Sequence, residues 1–197
     1  MSTLFISDLH LHPSRPAIIE CFLTFLQQQQ GQAETLYILG DLFETWIGDD
    51  HPEPAYQAVK SALKVFSSAG TPVYLMHGNR DFLLSGQFTQ ETGCHLLPDP
   101  ARIDLYGTAT VLMHGDSLCS DDRDYQRLRN RVRDPVWQQD ILGRPVEQRL
   151  QMARQARVLS SQSKQGKDET IMDANQDAIR RAVEALSLIH ISEPTRL

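Results

Sequence analysis

The stretch VYLMHGNRD, residues 73–81, runs from a buried-strand pattern straight into polar and very small residues. Val73 to Met76 are apolar or aromatic, and His77, Gly78, Asn79, Arg80 and Asp81 follow without a break. A single strand that ends this way is only a turn, but three further segments do the same. TLFIS (3–7) leads to Asp8, Leu9 and His10; TLYILG (35–40) leads to Asp41, with Glu44 beyond it; ATVLM (109–113) leads to His114, Gly115 and Asp116. Four expected strands thus end in side chains able to bind a metal. In an open α/β sheet the carboxyl ends of the strands border one crevice, so Asp8, His10, Asp41, Asn79 and His114 are expected to converge although they lie about 35 residues apart. Gly40, Gly78 and Gly115 suit turns that bend sharply or admit close backbone approach.

The intervening segments carry helical signals. Ser14 is expected to cap a helix with Pro16 in its first turn and with Ile18, Ile19, Phe22, Leu23 and Leu26 at helical spacing. Residues 54–68 are expected as a second helix, with Val59, Leu63 and Phe66 inward and Gly70 as a stop. HLL (95–97) reads as a further strand, and residues 103–115 as a hairpin about Gly107. Residues 120–186 are mostly helical in pattern, interrupted at Gly166. Strand and helix alternate, which predicts an α/β class built from stacked βα units rather than an all-β design.

With 197 residues, 41% of them hydrophobic and 22% charged, the chain suffices for one domain with a sizeable core. No apolar run reaches the roughly 20 residues that span a bilayer. A strand pattern starting at Thr3, with no basic segment ahead of it, argues against a signal peptide. Cys21, Cys94 and Cys119 show no metal spacing and are expected as reduced thiols of a cytosolic protein. The net charge of −6 is unevenly placed: residues 123–157 hold nine arginines and four acids, so that segment is +5 and the remainder −11. Such a segment suits an anionic partner (phosphate, anionic lipid or nucleic acid) or forms a solvated arginine-rich helix face.

Carboxylate, imidazole and amide oxygen together suit Mn²⁺ or a similar divalent ion, whereas thiolate-rich sets suit structural zinc. Asp41 has two oxygens with which to bridge two ions, and two metals about 3.5–4 Å apart clamp a phosphate ester for cleavage. Taken singly, an Asp after a strand is a turn former and Asn79 a turn residue. The order DLH, GDLFE, HGNRD and MHGD on successive strand ends carries the expectation. His77, one step off the proposed ligands, is expected in packing or behind them, and His12 and His51 in solvent.

These motifs resemble those of the calcineurin-like metallophosphoesterases: DxH, GDxxE, GNRD and a later HG, in that order. FISDLHL, ILGDLFETWIGDD, MHGNRDFLL and VLMHGDSLCSDD extend the resemblance, over residues 1–186, to the branch that hydrolyses UDP-2,3-diacylglucosamine in lipid A synthesis. The resemblance implies a layered β core with flanking helices and a helical lid insertion near residues 120–170. It implies two Mn²⁺ ions, with Asp8 and His10 on one, Asp41 bridging, and Asn79 and His114 on the other. Asp41, Asn79, Arg80 and His114 would form the catalytic set, Arg80 neutralising phosphate charge with its donor fork. Asn79, Arg80, Asp122, Ser160, Lys164 and Lys167 match positions that contact substrate. Leu128, Val132, Trp137, Ile141, Leu142, Val146, Leu150 and Met152 are expected to line an apolar groove for acyl chains. The arginines among them are expected to meet phosphates or a membrane surface. The implied partner is a nucleotide-linked glycolipid, cleaved to UMP and 2,3-diacylglucosamine 1-phosphate at the cytoplasmic face of the inner membrane, with peripheral attachment. No nucleic-acid partner is implied, and no oligomeric state. Two alternatives stay open: cleavage of a cyclic nucleotide, dinucleotide or nucleic-acid phosphodiester, and a binding module that kept the fold without the chemistry.

The family closes its site with a C-terminal Gly-His-x-His, one histidine to each metal. This chain ends SLIHISEPTRL without it. Residues 187–197 are therefore expected to be a non-native tail on a truncated domain, 1–186, with Mn²⁺ bound more weakly than in a complete member.

Overall fold

Short runs rich in β-branched and aromatic residues form the strands, and amphipathic segments between them form the helices. The structure, a computed structural model, describes residues 2–164, 171 and 173–191, with the side chains of 161, 163, 164 and 186–191 outside the description. Strands β1 (Ser2–Ile6), β2 (Ala33–Ile38), β3 (Val73–Met76) and β4 (His95–Leu97) make one sheet in the order β1-β2-β3-β4. All its pairings are parallel, with Ile6 opposite Ile38, Leu36 opposite Val73 and Leu75 opposite Leu96. The connecting helices are α1 (Pro16–Gln29), α2 (Pro54–Ser68) and α3 (Gly86–Thr92). Right-handed crossovers between sequentially ordered strands place all three on one face.

That face holds the main core. Leu36, Ile38, Val73 and Leu75 point into it and meet Ile19, Phe22 and Leu26 of α1, Val59, Leu63 and Phe66 of α2, and Phe88 of α3. Each such side chain, fully buried, contributes about 1.5–3 kcal/mol. The inward residues of α2 are those expected from its periodicity, and Glu53 caps it by accepting from the Ala55 amide. Residues one step along each strand face the other way. Phe5, Tyr37, Tyr74 and His95 lie in register there, with successive ring centroids 5.1, 5.1 and 5.3 Å apart. Below them sits the antiparallel hairpin β5 (Ala101–Leu105) and β6 (Thr108–Leu112), packed through Ala101 and Leu112 on Met76. Its turn is Tyr106-Gly107, both at positive φ (53° and 85°), as a two-residue hairpin loop demands.

Three expectations need correction. Ser14 does not cap α1: Arg15 takes that position, and the Ser14 hydroxyl lies 2.7 Å from His12 Nδ1 instead. The first strand is only partly buried, because it is the sheet edge and Phe5 stays on its outer face. Helix α3 was not expected, since GQFTQET has one large apolar residue and no periodicity; Gly93 in the left-handed region ends it. Beyond the hairpin come a single turn of 3-10 helix (Asp116–Leu118) and helices α4 (Arg123–Val132), α5 (Pro135–Leu142), α6 (Val146–Lys164) and α7 (Gln176–Ile191). Gly166 lies outside the described residues. The segment expected as a foreign tail overlaps the end of α7, and the rest of it also lies outside them. Among the described residues no helix is long and apolar enough to cross a membrane.

Candidate metal centre

Parallel pairing ends β1, β2 and β3 side by side, and the chain leaving β1 follows the chain leaving β2. The amides of Asp8, His10 and Leu11 donate to the carbonyls of Gly40, Asp41 and Leu42 at 3.1, 2.9 and 2.9 Å. To do so Asp8, His10 and Asp41 take positive φ values of 55°, 48° and 53°. That conformation costs a residue with a side chain about 1–2 kcal/mol. Three instances within one cluster show that the surrounding bonds impose it.

The strained backbone brings ligand-type atoms together. One ligand atom each from Asp8, His10 and Asp41 lie within 4.8 Å of one another. His10 Nε2 is 3.7 Å from Asp41 Oδ2 and 3.9 Å from Asp8 Oδ1. His114 Nε2 reaches Asp41 Oδ2 at 3.9 Å from the other side. It does not come from the parallel sheet, as its strand-end motif suggested, but from the end of β6 in the separate hairpin. The ring of His114 is fixed from behind: Nδ1 lies 2.9 Å from the Leu39 carbonyl, which can only accept, so Nδ1 carries the proton and Nε2 offers its lone pair. His10 has Glu44 Oε2 at 2.8 Å from Nδ1, off the hydrogen-bonding direction. Space is tight: a Cβ on Gly40 would meet His114 Nδ1 at 2.5 Å, and one on Gly78 would collide with the carboxylate and amide of Asp41.

Electrostatics favour a cation here. The Asp41 carboxyl is 2% exposed, and burial pushes its pKa up; His114, the Arg80 amide and His10 oppose that rise. The Arg80 amide donates to Asp41 Oδ1 at 2.8 Å. Behind it Asp81 is fully buried and pushed up to about 6, first by desolvation and then by the charge of Asp41. Amides of Gly78 (2.8 Å) and Phe43 (3.3 Å) donate to Asp81, so it ties the two loops together. The buried carboxylate of Asp41, the exposed one of Asp8 and the imidazoles of His10 and His114 are together a donor set that fits a hard or borderline divalent ion.

Other expected residues fall as follows. Asn79 is exposed, in the same loop between Gly78 and Arg80; Arg80 is half-buried, and its guanidinium makes no ion pair among the described residues. Asp122 caps α4, accepting from the Tyr125 amide at 3.1 Å. Ser160 is half-buried on α6. The Lys164 side chain and Lys167 lie outside the described residues. His77 is partly buried with Nε2 2.8 Å from the Leu84 carbonyl, whereas His12 and His51 are half-buried rather than solvated and help line a cavity of about 360 Å³. Leu150, Arg154 and Arg157 line the same cavity. Ile141 is buried in the main core, Trp137, Leu142 and Met152 pack half-buried against it, and Leu128 is exposed.

The arginines differ most from expectation. Four of the nine point into the body: Arg129 to Asp99 and Asp116, Arg133 to the carbonyls of His77 and Gly78, Arg149 to Asp50 and the Ile47 carbonyl, and Arg157 to Glu44 and Thr45. Asp81 and Asp116 close the HGNRD and MHGD motifs, but Asp99 and these arginines carry no mark in the sequence.

Comparison with known proteins agrees with this architecture. Three curated relatives, each called UDP-2,3-diacylglucosamine hydrolase, come from Yersinia enterocolitica, Marinobacter nauticus and Stenotrophomonas maltophilia. They are 50%, 51% and 53% identical to this chain over 188, 185 and 180 residues. The matches cover 95%, 94% and 88% of this chain and 78%, 76% and 73% of the relatives. A family model described as calcineurin-like phosphoesterase matches residues 1–173, a span that contains all four motif-bearing strand ends. The chain therefore belongs to the calcineurin-like phosphoesterase family.

Proposed function

We propose that this chain hydrolyses the diphosphate bond of UDP-2,3-diacylglucosamine, releasing UMP and 2,3-diacylglucosamine 1-phosphate with Mn²⁺ as cofactor. The observation that carries the reading is the cluster of Asp8, His10, Asp41 and His114, in a chain half identical to relatives named for that substrate. In it Asp8 and His10 would hold one cation, Asp41 would contribute to both, and Asn79 and His114 would hold the second. When bound, the cations supply Lewis-acid polarisation of the phosphorus oxygens and an acidified water. Arg80 meets the phosphate with its planar fork, adding charge where the transition state develops it. The Leu39 carbonyl holds the His114 imidazole in orientation, so little reorganisation of that ring is left to the reaction. Asp122, Ser160, Lys164 and Lys167 contact the rest of the substrate, whose acyl chains place the reaction at a membrane surface.

The test is a side-by-side assay of this chain with UDP-2,3-diacylglucosamine and a simple aryl phosphodiester, with and without Mn²⁺. The expected result is Mn²⁺-dependent release of UMP, reduced at least about a hundredfold in Asp41→Asn. Cleavage of the diester with the glycolipid untouched, or near-normal turnover by Asp41→Asn, would overturn the assignment.

A further inference from the structure

Helix α4 contributes no buried side chain, and Leu128 on it is 52% exposed. Apolar burial therefore does not explain why it sits where it does. Its contacts with the body include a polar stripe: Tyr125, Arg129 and Arg133, the last being the residue that caps its C-terminus, recur every fourth residue and face the same way. The Tyr125 hydroxyl donates to Asp116 Oδ2 at 2.8 Å, and Arg129 Nε to Asp116 Oδ1 at 2.9 Å. Arg129 also donates to Asp99 Oδ2 at 3.0 Å, while Asp99 Oδ1 accepts from the amide of His114 at 3.4 Å. One step along, Arg133 donates to the carbonyls of His77 (3.3 Å) and Gly78 (2.9 Å), the two residues directly before Asn79. Gln126 adds bonds to the carbonyls of Asp116 and Cys119 at 2.9 and 3.0 Å.

These bonds end on two loops, those carrying Asn79 and His114. The loops leave different sheets, so no strand pairing fixes one against the other. We propose that the inner stripe of α4 is the positioning element of the second metal site: Arg129 and Arg133 hold the His114 and Asn79 loops at ligand distance from each other. The proposal rests on the assignment of Asn79 and His114 to one cation. It separates the second site from the first, whose Asp8 and His10 amides pair directly with the carbonyls of Gly40 and Asp41.

The experiment titrates the full chain with Mn²⁺, reading free aqueous Mn²⁺ by electron paramagnetic resonance. His114→Ala identifies the ion of the second site. Arg133→Met is expected to weaken that ion about 10–100-fold, with the other changed less than about twofold. Arg133→Lys, which keeps one donor for the Gly78 carbonyl, is expected to fall between. In the His114→Ala background Arg133→Met is expected to leave the remaining ion unchanged. The metal-free melting temperature is expected to move by less than about 4 °C. Equal weakening of both ions, or a fall in melting temperature with both affinities unchanged, would make α4 ordinary packing and overturn the proposal. Should Arg133→Met not fold, Arg129→Lys decides in the same way, because a single ammonium cannot span Asp99 and Asp116. A wild-type chain that binds one ion only would overturn the two-cation assignment itself, and the role of α4 with it.

Discussion

A single hydrogen on Gly78 lets Asp41 keep its place. The side of Gly78 where a Cβ would stand is filled by the carboxylate and amide of Asp41, whereas the same position on Gly86 is open. Overpacking of this kind costs about 1–3 kcal/mol, and here it must displace the shared carboxylate as well. Gly78→Ala is therefore expected to lower the melting temperature and to abolish the rise produced by Mn²⁺. Gly86→Ala, at the start of α3, is expected to be neutral or slightly stabilising. A thermal melt of both with and without Mn²⁺ checks the pair, and equal behaviour would refute the role given to this contact. Asp8, His10, Asp41 and His114 were legible in the sequence because each follows a strand pattern abruptly. Their left-handed backbone was not legible, since nothing in an Asp or His announces φ > 0. Nor was Asp49, which accepts from the Trp46 indole (2.9 Å), the Ser85 hydroxyl (2.6 Å) and the Phe88 amide (2.7 Å). In text it is one of two acids after a glycine, and only the folded chain brings its donors.

At the scale of elements, α6 is tied to the Trp46–Asp50 loop by a buried cation. Arg149 is 3% exposed; it donates to the Ile47 carbonyl at 2.6 Å and to Asp50 Oδ1 at 2.8 Å. Arg149 Nη2 also bonds Asp50 Oδ2, and Arg149→Met keeps most of the volume but removes all three bonds, leaving the Ile47 carbonyl without that donor, at a cost of about 2 kcal/mol. For a domain of this size the expected loss is about 4–8 °C in melting temperature. The difference should depend on pH. The hydrogen bond from Arg149 holds the Asp50 carboxyl below its ordinary value, more than desolvation raises it. That contribution is complete above the unfolded value near 4 and fades as pH falls through the lower folded value. The gap between variant and wild type should thus narrow at acid pH, and a gap that widened there would contradict the pairing. The periodicity of α1 and α2 was visible because long apolar faces repeat every three or four residues. The inward turn of Arg129, Arg133, Arg149 and Arg157 was not, because a guanidinium on an inner face and one in water have the same spacing.

Across the whole molecule, the inward arginines set part of the +5 segment against the acidic body. Asp99, Asp116, Asp50 and Glu44 gain partners this way. Among the described residues Asp8 and Asp41 face imidazoles and no guanidinium, so negative charge stays without a cationic side chain at the meeting point of three loops. Burial raises the pKa of Asp41, and a carboxyl so raised loses stability as pH increases through its folded value. Near neutral pH the metal-free chain therefore carries Asp41 at a cost, and Asp41→Asn is expected to melt no lower than wild type. A divalent cation that binds only the folded chain reverses the balance. At a hundredfold excess over its dissociation constant it adds about 2.7 kcal/mol. That corresponds to a rise of about 5–11 °C for a chain of this length. Chelation should remove the rise, and Asp41→Asn should show little of it. Melting curves of both proteins across a Mn²⁺ series test the sign and the size together. An equal rise in the variant would place the stabilising cation elsewhere, and a variant that melted well below metal-free wild type would show that Asp41 supports the fold rather than straining it.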